Sequence, residues 1–327
     1  MTKILLSGMQ PTGNGQMHLG NYEGALKNWV KLQNENQYEM YCCIVDWHYL
    51  TSGYNETGGM RDRIKELMTD YLSAGLDPEK TAIFIQSQVK EHAELHLLLS
   101  MMTPTSWLER VPSYKEKATE LGLDSYGFLG YPLLMAADIL VYKAQAVPVG
   151  KDQLPHIELT REVARRFNNI YGELFPEPDG LLTPFPVVPG TDGRKMSKSY
   201  GNDIKMANSE EETTQKLKKM FTDPEKLRKG DPGRPDICPV YSLHQIYNPQ
   251  HEEVVEPCKA GKLGCVDCKM NLIQHLNAAL APVRAKRAEI EKKPDLIWQA
   301  LARGADRARA KAEKTVIEVR KAMSLDW

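Results

Sequence analysis

The chain has 327 residues, 42% hydrophobic, 26% charged and 8% aromatic, with a formal net charge of −1. That length suits one large domain plus a smaller one, and the composition excludes fibrous and low-complexity proteins. No apolar run approaches the ~18–20 residues of a membrane span, and the start MTKILLSGMQPTG meets Gly and Pro too early for a secretory leader, which points to a cytoplasmic protein.

In chain order, KILLSGM reads as a short buried strand. From Asn21 the apolar positions Tyr22, Ala25, Leu26, Trp29 and Val30 have the spacing of an amphipathic helix. A strand at EMYCCIVD, a helix over 59–74, a strand at TAIFIQS and a helix after Glu91 follow. This alternation predicts an α/β, Rossmann-like parallel sheet covered by helices, with ligands beyond the carboxyl ends of its strands. After a charged stretch at 109–120, GYPLLMAADILVY reads as a nearly all-apolar helix carrying one acid. VPVG is a strand, and the next helix puts Leu159, Val163, Phe167 and Ile170 on one face. Proline content predicts a break in regular structure over 175–189. Beyond the loop TDGRKMSKSYGN the pattern turns helical, interrupted by a cysteine-bearing insert at 231–268. The domains expected are 1–205 and a smaller helical one, 206–327. Residues 281–327 carry 12 Lys/Arg against 7 Asp/Glu, leaving the first 280 at −6. A basic tail on an acidic body suits a polyanionic partner, and equally a solvated helix face.

Three segments carry chemistry. In QPTGNGQMHLGNY a strand gives way to a Gly-rich turn and a helix start near 18–21, where free N–H groups and the helix dipole favour an anion. His18 and Asn21 add side-chain donors. In GRKMSKSYGN two lysines three apart, with hydroxyls between and beside them, suit a polyphosphate whose charge shifts during reaction. In GYPLLMAADIL, Asp138 sits among apolar neighbours and needs a donor. The donor is either a structural partner or an N–H or O–H of a ligand. Late in the chain, Cys238, Cys258, Cys265 and Cys268 end in a C-x2-C pair. Such clustering in a cytosolic chain suggests metal over disulfides, and spacing does not choose between Zn2+ and iron–sulfur ligation.

HLGN after the first strand, with KMSKS later in the same α/β body, resembles the two nucleotide motifs of class I aminoacyl-tRNA synthetases. QPTG, CIVDWH, YPLLMAADIL, VPVGKDQ, HIELTREVARRFN and KMSKS occur in the order found in the bacterial tryptophanyl branch of that family. The resemblance spans residues 3–205 and, more loosely, the helical C-terminus. It implies ATP-dependent activation of L-tryptophan to an adenylate with release of pyrophosphate, transfer to tRNA(Trp), Mg2+ as the ion of ATP, and a homodimer. By the same resemblance Gln10, Thr12, His18, Gly20 and Asn21 cradle ATP. Gly150, Lys151 and Asp152 lie at its adenosine, and Lys195, Met196, Ser197 and Lys198 form a loop closing on its phosphates. Lys195, Lys198, His18 and Asn21 are the candidate catalytic groups, and Lys115 stands as a further phosphate lysine. Asp138 receives the indole N–H, with Met135 and Leu6 lining the ring, and Tyr131, His48 and Gln153 around the amino-acid end. His48, Leu6 and Met135 would serve a ligand-free core equally well. The loop PTGNGQMHLG is two residues longer than in relatives, and the cysteine insert is absent from many of them. A subset holding a [4Fe-4S] cluster in such an insert favours that group over Zn2+, and the family uses the helical C-terminus to hold the anticodon. Rival readings are the tyrosyl enzyme, a small-molecule nucleotidyltransferase of the same superfamily, and a cluster-bearing nucleic-acid-binding protein without catalysis.

Overall fold

The computed structural model describes residues 2–182 and 187–327. Strands β1 (Lys3–Met9), β2 (Tyr38–Ile44), β3 (Thr81–Ile85), β4 (Ala146–Val149) and β5 (Asp179–Leu182) form one parallel sheet in the order β3-β2-β1-β4-β5. Alternate residues feed two cores. Ile4, Leu6, Tyr41, Cys43, Ala82, Phe84, Val147 and Val149 belong to one. Leu5, Met40, Cys42, Ile44, Ile83, Ile85 and Ala146 belong to the other. Both faces are therefore covered, which is why these strands read as continuous apolar runs and why the adjacent Cys42 and Cys43 are both buried.

Helix α1 runs through Leu19–Asn21, Tyr22–Leu26 and Lys27–Glu35 in succession. It is followed by α2 (Asp46–Gly53), α3 (Met60–Ala74) and α4 (Glu91–Ser100). The charged 109–120 stretch falls mostly in α6 (Pro112–Leu121), just after the short α5 (Thr105–Glu109). The apolar helix is α7 (Tyr126–Leu140), and α8 (Leu154–Tyr171) follows β4. On α8, Leu159, Val163 and Phe167 are buried, whereas Ile170 is 52% exposed. Tyr171 takes the inward position instead, its ring 5.0 Å from Phe167. The expected break at 175–189 contains β5, because the open edge of β4 pairs with it from Ala146↔Asp179 to Val149↔Leu182. Residues 183–186 of that stretch lie outside the described residues.

The C-terminal part holds α9 (Glu210–Lys219), α10 (Pro239–Tyr247), α11 (Glu252–Lys259), α12 (Cys265–Glu291) and α13 (Pro294–Ala322). The 231–268 insert is itself largely helical: Cys238 precedes α10, Cys258 lies in the last turn of α11, and Cys265 and Cys268 open α12. A third core joins Leu217, Val240, Leu243, Leu272, Leu276 and Leu280 to Leu19 and Met196. The terminal helix α13 returns to the sheet. Ile297 and Leu301 enter one core, and Ala308, Ala312 and Val316 the other, so α13 covers the β3 edge that would otherwise be open to pairing. Contact is closest at Gly304, where a Cβ would lie 1.8 Å from the Ile83 carbonyl oxygen. All six arginines of 281–327 have protein partners. Arg303 pairs with Glu79, Arg320 with Glu94 and Arg309 with Asp306, while Arg307 donates to the Pro78, Glu79 and Lys80 carbonyls. Arg284 donates to Asn277 and Thr213, and Arg287 binds Asp70 and Glu66. The basic excess is thus partly committed within the chain.

Candidate active site

The strand order reverses direction between β1 and β4, and a cavity of about 310 Å³ opens there at the carboxyl ends. Met9 and Gln10 reach it from the end of β1, Val45 from just past β2, His48 from α2, and Val149, Gly150 and Gln153 from the end of β4 and the turn after it. Leu6 forms part of its floor, and Tyr131, Met135 and Asp138 of α7 form a wall with Ser113 and His156. All six residues expected around an amino acid, from Leu6 to Gln153, therefore line one space with Gln10 and Gly150.

Asp138 is 4% exposed and accepts from three side chains. His48 Nε2 lies 2.9 Å from Oδ2, and His92 Nδ1 2.7 Å from Oδ1. Gln86 Nε2 bridges both oxygens at 2.8 and 2.9 Å. Burial by itself would raise its pKa, but the His92 and His48 rings outweigh that and hold it well below the usual carboxylate range. Gln86 is locked in orientation because its Oε1 accepts from the Trp47 backbone N–H at 3.2 Å. His92 Nε2 meets the Tyr142 hydroxyl at 2.7 Å. These donors make four contacts, two on each carboxylate oxygen, so a ligand N–H here shares an oxygen with one of them or displaces it. His48 is thus both a packed histidine and a cavity wall. On the far side Tyr131 Oη and His156 Nε2 each lie 2.8 Å from Ser113 Oγ.

The nucleotide motifs meet beside this cavity. Leu19 N donates to Ile204 O at 2.8 Å and Met206 N to Met17 O at 3.0 Å, so the first loop and the segment after KMSKS are paired backbone to backbone. His18 caps α1: its Nδ1 accepts from Asn21 N at 3.2 Å, which assigns the ring proton to Nε2 and makes the free edge a donor. Burial, then the nearby Lys198, lowers its pKa to about 4, so the ring is neutral at pH 7. A Cβ at Gly20 would lie 3.0 Å from the His18 ring and 3.7 Å from Met196 Cβ, so both pack close to this glycine. Lys198 Nζ reaches the Thr12 carbonyl at 3.0 Å, and burial lowers its pKa to about 8. Met196 is pinned in the third core. Asn202 braces the loop: Oδ1 accepts from Ser197 N at 2.8 Å, and Nδ2 donates to Asp192 at 2.7 Å and to the Lys195 carbonyl at 3.2 Å. Lys195 is exposed, beside His18. Lys151 and Asp152 form an exposed turn after Gly150, with Asp152 bonded to Gln153. Lys115 does not line the cavity; it stands on α6, two residues past Ser113, which does.

Four groups escape the sequence reading: Gln86, His92, Ser113 and His156. Gln86 carries the best signal, being the first residue past β3 on a parallel sheet. In the C-terminal region Cys238, Cys258, Cys265 and Cys268 line one small void with Asp223, Lys226 and Arg234, and all four are free thiols. Among the described residues no three His, Cys, Asp or Glu side chains stand in ion-holding geometry. No described helix is long and apolar enough to cross a membrane.

Residues 2–281 match the family of class I tRNA synthetases for W and Y. A tryptophan–tRNA ligase of Thermotoga maritima is 50% identical over 98% of this chain and 99% of its own length. One of Aquifex aeolicus is 45% identical over 98% and 99%. The tryptophanyl-tRNA synthetase of Campylobacter jejuni, solved with ADP and tryptophan, superposes with a TM-score of 0.87 at 35% identity, covering 98% of this chain and 99% of that one. Relatives at this identity over full length decide between the tryptophanyl and tyrosyl branches that the nucleotide motifs alone left open. The chain belongs to the tryptophan–tRNA ligases of class I.

Proposed function

We propose that the cavity at the β1/β4 junction takes L-tryptophan with its indole N–H on Asp138, and that MgATP lies between the His18–Asn21 helix start and the 195–198 loop. The observation that carries this reading is the buried, ionised acceptor in the cavity wall, held in place by His48, His92 and Gln86. Leu6 and Met135 pack the ring, while His48, Tyr131 and Gln153 surround the rest of the amino acid. Gln10, Thr12 and Gly20 with Asn21 border the triphosphate, and Gly150, Lys151 and Asp152 the adenosine. The tryptophan carboxylate attacks the α-phosphorus, pyrophosphate leaves, and the aminoacyl group then passes to a terminal ribose hydroxyl of tRNA(Trp). No side chain acts as nucleophile. His18 Nε2–H donates a hydrogen bond to the phosphates, and Lys195 and Lys198 neutralise the charge that develops on them. Lys115, outside the cavity wall, would act only on phosphates projecting past Ser113. A cytoplasmic homodimer, with the C-terminal helices on the anticodon, completes the reading.

The same reading assigns a [4Fe-4S] cluster to Cys238, Cys258, Cys265 and Cys268, with Zn2+ as the competing occupant. The donor set fits. Four free thiols face one void beside Lys226 and Arg234, cations that suit thiolates, and burial pushes the Cys268 thiol up to about 12, so an ion must displace its proton. Bound there, the group would tie α10, α11 and α12 together. Anaerobic protein should be brown with about four irons per chain, and colourless protein with one zinc per chain refutes the cluster. For the active site, tryptophan-dependent ATP–pyrophosphate exchange by a His18→Ala variant should lose turnover while tryptophan binding persists.

A further inference from the structure

The nucleotide loop is seated on α3 at three successive points. Gly15, at φ +88°, is pressed against the first turn of the helix, where a Cβ would lie 2.2 Å from the Arg63 carbonyl oxygen. Gln16 Nε2 donates to Glu66 Oε2 at 2.8 Å, and Met17 N donates to Asp70 Oδ2 at 2.6 Å. Residues 63, 66 and 70 share one face of α3, so loop residues 15, 16 and 17 run along that face to His18. Glu66 and Asp70 are like charges four apart on a helix, a repulsive pair needing a cation. The cation comes from 217 residues away. Arg287 of α12 donates Nη1 to Asp70 Oδ1 at 2.5 Å and Nη2 to Glu66 Oε2, and its Nε pairs with Glu291 at 2.9 Å. Asp70 is fully buried and Arg287 is 7% exposed. The Asp70 charge also acts on the Lys198 ammonium of the opposing loop.

We propose that Arg287 is a positioning residue for ATP: by fixing Glu66 and Asp70 it sets the place of the Gly15–Met17 backbone, and it thereby couples α12 to the nucleotide site. This rests on the reading that the loop around His18 cradles ATP. A planar guanidinium suits the role because its fork spans both carboxylates at once. Burial works against the Asp70 charge, and Arg287 is the first of the groups that offset it. Without that cation the Met17 N–H would lose a charged acceptor and Lys198 a nearby anion.

The test measures KM for ATP and for tryptophan by pyrophosphate exchange in three variants of the full chain. Removing Arg287 alone would strand two carboxylates, so the main variant is the charge-matched double Arg287→Met with Asp70→Asn. KM for ATP should rise about tenfold, the effect of one lost charge-assisted hydrogen bond, with KM for tryptophan within about twofold of the starting value. Arg287→Lys keeps the charge but cannot bridge both acids, and should give an intermediate rise. Glu291→Gln, which removes only the exposed partner, should change neither constant. An unchanged KM for ATP in the double variant overturns the proposal, as does an equal rise in both constants. If His18→Ala leaves the ATP parameters untouched, the underlying ATP reading fails instead.

Discussion

Replacing Asp138 by Asn tests the amino-acid site with almost no change in volume. The carboxylate accepts from His48, His92 and Gln86 at 2.7–2.9 Å. An amide keeps one acceptor oxygen and turns a donor toward groups that are themselves donors, whichever way it is oriented. The indole N–H then loses a charged acceptor, which costs about 1.5–3 kcal/mol, or roughly 10- to 150-fold in kcat/KM for tryptophan. The assay is tryptophan-dependent ATP–pyrophosphate exchange, run in parallel with the analogue whose indole N–H is replaced by sulfur. The unaltered protein should prefer tryptophan over the sulfur analogue by about tenfold or more. Asp138→Asn should shrink that preference severalfold while KM for ATP stays nearly constant. A general loosening of the fold would depress both substrates alike and leave the ratio intact. An unchanged ratio refutes the assignment of the indole to this acid.

Three further outcomes follow from the same geometry. Lys198 has a pKa near 8 in the free protein, so its charged form is lost as pH rises through that value. The kcat/KM for ATP should fall above about pH 8, and Lys198→Arg should move the fall to higher pH. Gly304→Ala forces a methyl group onto the Ile83 backbone, and overpacking there should cost about 1–3 kcal/mol in a urea melt. Gln86→Leu strips Asp138 of its bridging donor and removes the Gln86 Oε1 acceptor of the His48 N–H, while the Trp47 N–H keeps Asp46; about 1–3 kcal/mol of stability should be lost, together with affinity for tryptophan.

Much of this arrangement is legible in the order of the residues. The middles of β1 to β4 are covered on both faces and mostly apolar, so the parallel sheet follows from pattern alone. HLGN and KMSKS suggest an anion site together rather than singly, and the fold does pair the two segments backbone to backbone. What pattern could not give is partnership across distance. Asp138 reads as an acid in need of a donor, but nothing local says that Gln86, His48 and His92 converge on it. β5 was hidden by the prolines around it, since its strand character comes from the exposed edge of β4 rather than its own side chains. Ile170 has the right period and the wrong neighbour, because Tyr171 fills the space against Phe167. The arginines of α13 look like a surface for polyanions and turn out to bind Glu79, Glu94 and the backbone carbonyls of Pro78, Glu79, Lys80 and Gln88. Arg287 is the extreme case: only the folded chain reveals that it holds the acids on which the nucleotide loop rests.

The most direct measurement is a crystal structure of the protein with tryptophan and a non-hydrolysable ATP analogue. The indole nitrogen should lie within about 3.2 Å of an Asp138 carboxylate oxygen, with the triphosphate between His18 Nε2 and the ammonium groups of Lys195 and Lys198. An indole turned toward Ser113 and His156, or phosphates bound away from the His18 edge, would contradict that placement.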